Sequence, residues 1–206
     1  MSSVNTEKTR RMVGLSILTA LVIVLQFVAE YIKVGATPIT LTLVPIVVGS
    51  ALYGVRGGAW LGGVFGVVVW LMSIANIDPT GALLWNLNPF LTTVICIGKG
   101  ALAGLAAAAA YRFVARKSGI GGVFAAAVVS PIVNTGIFCA GLFAFFNDTF
   151  NEWMMGWVSS TGNEANPLLY IILVLVGVNF LIEMGINLVL SPIIERIIRL
   201  RKKGAV

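Results

Sequence analysis

The last hydrophobic stretch of the chain, from Pro167 to Leu200, is long enough to cross a bilayer yet carries polar residues in its middle. About 20 consecutive apolar residues are enough for a helix to span the hydrocarbon core. Asn179, Glu183 and Asn187 are four residues apart, so on a helix they form one polar stripe. A carboxylate at bilayer depth is costly unless it has a partner or water. The stripe therefore indicates either a functional site or hydrogen bonds that only hold helices together.

The composition assigns the chain to the membrane proteins. Of its 206 residues, 58% are hydrophobic and 11% are charged, whereas a soluble domain carries about 25% charged residues. No region is hydrophilic enough for a soluble domain, so residues 1–206 are predicted to form a single, all-α membrane domain. The net charge of +6 does not indicate nucleic-acid binding, because the basic residues lie at the ends of apolar spans. The N-terminal segment lacks a small-residue cleavage site, so the first span is expected to be retained.

Several classes of enzyme are excluded by what the sequence lacks. There is no histidine, so a Ser-His-Asp triad and a histidine-based zinc site are impossible. The segment GKGALAG from Gly98 lacks the spacing and the hydroxyl residue of a phosphate loop. Cys96 and Cys139 lie in separate apolar segments and are interpreted as packing residues. The chain is therefore not expected to be an enzyme or an ATPase, and no cofactor or metal is predicted.

Six apolar segments predict six transmembrane helices, with approximate bounds 12–31, 39–53, 58–75, 87–113, 121–146 and 168–198. Gly58, Gly62 and Gly66 give the third helix a groove for close packing. The N-terminus, the turn at Arg56, the 112–117 turn and the C-terminus hold twelve of the fourteen basic residues. Because cytoplasmic loops are enriched in Lys and Arg, both termini are predicted to be cytoplasmic.

The last outer loop, residues 147–166, contains an amphipathic segment. Apolar residues recur there at i, i+3, i+4, i+7 and i+8, which is typical of a helix with one apolar face; they are Phe150, Trp153, Met154, Trp157 and Val158. We expect a short helix that lies at the membrane surface or covers a cavity.

Polar and aromatic residues in the outer half of the chain predict a small-molecule pocket. A helix rises about 1.5 Å per residue, so Lys99 lies about 16 Å below Asn88 and Glu183 about 22 Å below Leu168. The two charges are therefore expected at similar depth and could pair. Aromatic walls with a few polar anchors are usual in ligand pockets, although outer Trp and Tyr residues are also typical of the membrane interface. The predicted substrate-binding residues are Tyr31, Lys33, Trp85, Asn86, Asn88, Lys99, Asn134, Trp153, Asn179 and Glu183.

Several segments together resemble a known family. They are GLSILTAL in the first helix, TPITLTLVPIVVGSALYGVRGGAWLGGVFGVV, LNPF with GKGALAGLAAAAAYRF, and NFLIEMGINLVLSPIIERI near the end. This pattern resembles the substrate-binding (S) subunits of energy-coupling factor (ECF) vitamin transporters, in particular the riboflavin and pantothenate type. The resemblance covers almost the whole chain but rests on pattern, not on one diagnostic motif.

The resemblance implies an importer subunit in a bacterial plasma membrane. Subunits of this family capture a vitamin outside and topple in the bilayer to release it inside. They require a membrane-embedded coupling subunit and two cytoplasmic ATPases. The family's small-residue docking face would fall here on Gly14, Ser16 and Ala20, with Ser16 in place of the usual first Ala. Family pockets use the first outer loop and the outer parts of helices four to six, which agrees with the predicted site.

The ligand is predicted from the charges near the pocket. Lys33 and Lys99 favour a carboxylate, so pantothenate fits better than riboflavin, which comes next. If Glu183 neutralises Lys99, only Lys33 remains for the ligand. One alternative is a stand-alone secondary or proton-coupled transporter with Glu183 as the coupling residue, although most such folds are built from duplicated halves. The other is a structural membrane subunit in which the polar stripe only packs.

Overall fold

The computed structural model describes the backbone of residues 2–31, 33–34, 37–38 and 41–202. The described chain is helical apart from the two-residue strands β1 (Lys33–Val34) and β2 (Thr37–Pro38), which pair antiparallel. The helices are α1 (Ser2–Ala29), α2 (Leu43–Ile74), α3 (Pro79–Leu87), α4 (Pro89–Val114), α5 (Gly119–Phe145), α6 (Asn147–Thr161), α7 (Pro167–Tyr170) and α8 (Gly177–Lys202). A π-helical segment, Ile171–Val176, joins α7 to α8. The predicted all-α class is confirmed.

Four described helices are long and apolar enough to cross a membrane: residues Glu7–Ala29 of α1, and the whole of α2, α4 and α5. A fifth candidate is the pair Pro167–Leu175 and Phe180–Leu200, whose two parts are bent by 50°. The prediction of a multi-pass helical membrane protein is therefore confirmed. The count of six spans and the cytoplasmic placement of both termini stay predictions.

The predicted second and third helices form the single element α2. Gly54 interrupts it with φ 70° and ψ −159°, a backbone conformation that glycine adopts readily because it lacks a Cβ. A short distance across the turn shows that the chain folds back there. The carbonyl oxygen of Gly49 lies 3.2 Å from the position that a Cβ on Gly57 would occupy. Residues eight positions apart on a straight helix are separated by about 12 Å. The segments before and after Gly54 therefore lie side by side, as the predicted turn requires.

The backbones of α2 and α4 are in direct contact along two glycine stripes. A Cβ on Gly58 would collide with the carbonyl oxygen of Gly104, and one on Gly62 with that of Gly100. The Ser50 hydroxyl donates a hydrogen bond of 3.2 Å to the same Gly104 carbonyl. The predicted packing groove is confirmed, and its partner is a second pair of glycines on α4.

The helix α1 lies at the edge of the bundle against α2. Thr42 Oγ1 donates to Gln26 Oε1 at 2.9 Å, and Trp60 Nε1 donates to Thr19 Oγ1 at 3.1 Å. The remaining faces of α1 are largely exposed. At the end that holds the Gly54 turn, an aliphatic cluster joins α2, α4, α5 and α8, with members Val47, Val48, Ala107, Tyr111, Val123, Ala126, Ile194 and Ile198.

The last predicted helix, 168–198, is divided into α7, the π-helical segment and α8. The division falls at Gly177, whose φ of 44° and ψ of −164° are not helical. The polar stripe therefore lies on α8, beyond the break.

Two segments that are predicted to be outer loops contain helices. Residues 76–86, between the third and fourth predicted helices, contain α3, whose start is capped by the Asp78 carboxylate accepting from Thr80 N at 3.1 Å. Pro79 follows at the first helical position, where proline is favoured. The predicted amphipathic helix is confirmed as α6, which ends at Gly162 in a left-handed conformation with φ 72°.

Candidate functional site

The helices α4 and α5 hold a cation against an aromatic ring inside the bundle. Lys99 of α4 is half-buried, and its Nζ lies 5.0 Å from the centroid of the Phe138 ring on α5. A cation over a ring face is attracted by the ring quadrupole. The ion pair with Glu183 that could form according to the sequence is not among the described contacts of Lys99. Glu183 has an interaction of its own. The Lys99 charge is therefore placed toward α5.

Buried polar residues line the interior faces of α5 and α8, which pack against each other. Asn134 is 7% exposed, Glu183 6% and Asn187 1%, and Ser130 is fully buried. The Oδ1 atoms of both asparagines and the Ser130 Oγ have no hydrogen-bond partner among the described atoms. A buried polar atom without a partner costs about 1–3 kcal/mol. Water or a ligand with hydrogen-bond donors would remove that cost.

The buried amide of Asn134 lies on α5, one helical turn from the ring that Lys99 contacts. Asn134 is four residues from Phe138, so its amide and this ring point to the same side of α5. Polar groups of this kind orient small molecules in ligand pockets.

An aromatic cap, formed by α6 and its contacts, covers this region from the end of the bundle that is predicted to be outer. Phe150 of α6 contacts the Tyr170 ring at 5.5 Å and the Phe143 ring at 5.4 Å, both edge-to-face. Trp153 and Phe138 pack against the cap, whose buried core is Leu84, Ile95, Leu142, Phe146, Phe150, Met154 and Tyr170. Lys99 is four residues from Ile95 on α4, so it lies one helical turn below the cap. The predicted aromatic wall is thus packed on itself above Lys99.

Three further predicted site residues lie around the outer end of α3. Asn88 caps α4, because its Oδ1 accepts from Leu91 N at 3.1 Å. Trp85 is half-buried and meets Trp70 edge-to-face at 6.1 Å. Asn86 is exposed and borders an open groove of about 520 Å³. These three residues lie at the C-terminal end of α3 and the start of α4, where Asn88 has a structural role as a cap.

The remaining predicted site residues are separated from this arrangement or not described. Tyr31 is 90% exposed just after α1. Lys33 lies in β1 and Asn179 in α8, and both side chains lie outside the described residues. Within the described ranges, no three Cys, Asp or Glu side chains are placed to share a metal ion.

Two buried polar groups were missed in the site predicted from sequence. Trp70 Nε1 is buried without a partner among the described atoms. Its contact with Trp85 is the observation that links Trp70 to the predicted site. Ser130 is four residues before Asn134 in an apolar helix, a spacing that places both on one face. That spacing could have been recognised in the sequence.

The predicted docking residues lie on the outward side of α1. Ser16 and Ala20 are exposed and Gly14 is half-buried. Val13 and Val24 are exposed beside them, at 53% and 59%. This face is open to a partner helix or to lipid, and the docking role stays a prediction.

Comparison with known proteins gives a consistent family. The model of the family described as "ECF transporter, substrate-specific component" matches residues 10–195. A relative is the pantothenic acid transporter PanT of Lactococcus lactis subsp. cremoris, 25% identical over 173 residues, which are 77% of this chain and 87% of the relative. No solved structure matches the chain significantly. Because the family model covers nearly the whole chain and its apolar spans, this multi-pass protein belongs to the substrate-specific components of ECF transporters, as the sequence resemblance predicted.

Proposed function

We propose that this chain, as a single membrane domain, binds pantothenate at the outer face of a bacterial plasma membrane. Delivery inward would require docking to a membrane coupling subunit that carries two cytoplasmic ATPases. The family membership and the similarity to a pantothenic acid transporter support this proposal. Riboflavin is the second candidate ligand.

The observation that carries the choice of an anionic ligand is the placement of Lys99. Its ammonium lies over the ring of Phe138, which is one helical turn from Asn134, whose buried Oδ1 has no hydrogen-bond partner among the described atoms. A carboxylate would take the ammonium as a charge-assisted partner. The hydroxyl and amide N–H groups of pantothenate would donate to the buried oxygens of Asn134 and Asn187. Riboflavin lacks the carboxylate that this arrangement favours.

We further propose that α6 acts as the outer lid of this site. The aromatic cap packs directly above Lys99, so a ligand arriving from outside must displace α6 or pass beside it. Gly162 follows the helix in a left-handed conformation and Phe146 alone separates it from α5, so these residues would be the hinges. Displacing α6 would expose Phe150 and Met154, which are buried in the cap.

The topology that we propose has six crossings with both termini cytoplasmic. The reversal at Gly54 supports two crossings within α2, and the bent pair after Pro167 supports the last one. Five of the eight acidic residues lie at the opposite end from the basic turns: Glu30, Asp78, Asp148, Glu152 and Glu164. This asymmetry follows the positive-inside pattern.

Calorimetric titration of the purified subunit with pantothenate and with riboflavin tests the ligand. We expect saturable binding of pantothenate and none of riboflavin at the same concentration. Tight riboflavin binding without a pantothenate signal would show that the cations do not select the ligand. Uptake in vesicles that lack the coupling subunit and ATPases separates the proposal from a secondary transporter using Glu183, because only the latter would accumulate substrate there.

A further inference from the structure

A basic cavity lies at the end of the molecule that holds the Gly54 turn, far from the aromatic cap. It has a volume of about 560 Å³ and lies between α1, α2 and α4. Four arginines line it: Arg11, Arg56, Arg112 and Arg116. Arg11, Arg56 and Arg112 come from α1, α2 and α4, and Arg116 lies in the turn after α4, so the tertiary structure concentrates their charge at one opening.

The cavity lining contains no carboxylate among the described residues. The acidic residues at this end of the described chain are Glu7 and Glu195, and neither lines the cavity. Glu195 accepts a hydrogen bond from Arg199. Arg11 Nη2 donates to the carbonyl oxygen of Tyr53 at 3.3 Å, which anchors this arginine at the cavity wall. The clustered positive charges repel one another, and a bound anion would offset that repulsion.

Apolar side chains next to the cavity's arginines in the chain are exposed, as expected for a site near the boundary of a membrane. Phe113 follows Arg112 and is 78% exposed, Met12 follows Arg11 and is 65% exposed, and Val55 precedes Arg56 and is 39% exposed. A soluble anion would leave these apolar groups exposed. An amphiphile could place its charged part among the arginines and its chains along them.

We infer that this cavity binds the phosphate headgroup of an anionic phospholipid in the cytoplasmic leaflet; the choice of leaflet rests on the proposed topology. The guanidinium group presents paired donors that match phosphate oxygens. Basic pockets between membrane helices on the cytoplasmic side are suited to anionic headgroups. A bound headgroup would bridge α1, the Gly54 turn and α4.

The test compares two triple variants with the same change in charge. The cavity variant carries Arg56→Gln, Arg112→Gln and Arg116→Gln. The control variant carries Lys8→Gln, Arg10→Gln and Lys117→Gln, which are exposed at the same end but do not line the cavity. Native mass spectrometry measures retained phosphatidylglycerol against phosphatidylcholine. We expect the cavity variant to retain roughly tenfold less phosphatidylglycerol, and the control to resemble the wild type. Equal losses in both variants would overturn the site.

Two further measurements distinguish loss of lipid binding from poor folding and from binding of a soluble phosphate compound. Arg56→Lys, Arg112→Lys and Arg116→Lys keep the charge but remove the paired donors, so we expect intermediate retention even if the Gln variant folds poorly. Inorganic phosphate and glycerol phosphate are then added to the lipid-loaded protein at millimolar concentration. Complete displacement by either would assign the cavity to a soluble phosphate compound and overturn the lipid assignment.

A partner subunit is the remaining alternative occupant. If the cavity variant retained phosphatidylglycerol but lost assembly with the coupling subunit, the arginines would serve protein docking and the inference would be wrong. Pantothenate titration of the same variants keeps this test separate from the proposed function. Failure of the wild type to bind pantothenate would affect the proposed ligand alone, whereas loss of lipid selectivity would affect the cavity alone.

Discussion

The ammonium nitrogen of Lys99 lies 5.0 Å from the centroid of the Phe138 ring, and this contact joins α4 to α5 below the aromatic cap. A cation–π contact of this kind contributes about 0.5–2 kcal/mol, depending on how dry the site is. It holds the Lys99 charge between the two helices. If the proposed site is right, the same charge also faces the carboxylate of the ligand.

Replacing Lys99 by Met tests whether its charge serves the ligand. The apolar side chain should pack on Phe138, so the variant should fold. Pantothenate affinity should fall by about 2 kcal/mol or more because a charged partner is lost. Pantothenol, the alcohol analogue without the carboxylate, should bind the variant and the wild type alike in calorimetric titrations.

The alternative is that Lys99 forms a structural ion pair with Glu183. Breaking a buried ion pair costs about 3–5 kcal/mol. Lys99→Met and Glu183→Gln should then lower the thermal unfolding midpoint to a similar extent, with ligand affinity in the surviving folded protein unchanged.

The substitution Gly62→Ala tests the glycine contact between α2 and α4. The new Cβ would lie 2.9 Å from the carbonyl carbon of Gly100 and collide with its oxygen. Overpacking of this kind costs about 1–3 kcal/mol, so the unfolding midpoint in detergent should fall. Gly63→Ala is the matched control, since nothing lies within 4 Å of its Cβ position. An equal effect at the two positions would mean that the helices do not approach closely.

The substitution Ala20→Trp tests the docking role of α1. Ala20 is exposed, so the subunit should fold and bind substrate, whereas close approach of a partner helix should be blocked. We expect loss of complex assembly and of ATP-dependent uptake. Ala109→Trp on the exposed side of α4 is the control and should leave assembly intact. Weakened substrate binding with intact assembly would show that this face has a different role.

Cysteine labelling tests the proposed topology. Cysteines are introduced at Asn163 and at Lys117, both exposed, after the buried Cys96 and Cys139 are replaced by alanine. A membrane-impermeant maleimide added outside intact cells should label position 163 and leave position 117 unlabelled until the membrane is opened. Labelling of 117 from outside would reverse the assignment of every loop.

Most of the helices could be predicted from the sequence because helix formation depends on interactions between residues close in the chain. Apolar length predicted the membrane helices, the spacing of Phe150, Trp153 and Trp157 predicted α6, and Gly58 and Gly62 predicted close packing. The helix α3 was missed although Asp78 and Pro79 form an ordinary helix start. The local helix-start signal therefore indicates a helix at a position between two predicted membrane helices.

The sequence by itself determined that this chain is a helical membrane protein and which side of each helix its polar residues share. The shared side follows from the helical repeat, whereas the depth that the rise per residue gives stays a prediction. Only the tertiary structure decided which neighbouring helix the polar side of each helix contacts. Lys99 was predicted to lie at the depth of Glu183 and to be able to pair with it, and the structure places its ammonium over the Phe138 ring of α5. Likewise, Arg11, Arg56 and Arg112 share a cavity because the fold-back at Gly54 brings α1, α2 and α4 together. Contacts between distant helices depend on packing, which no local pattern encodes.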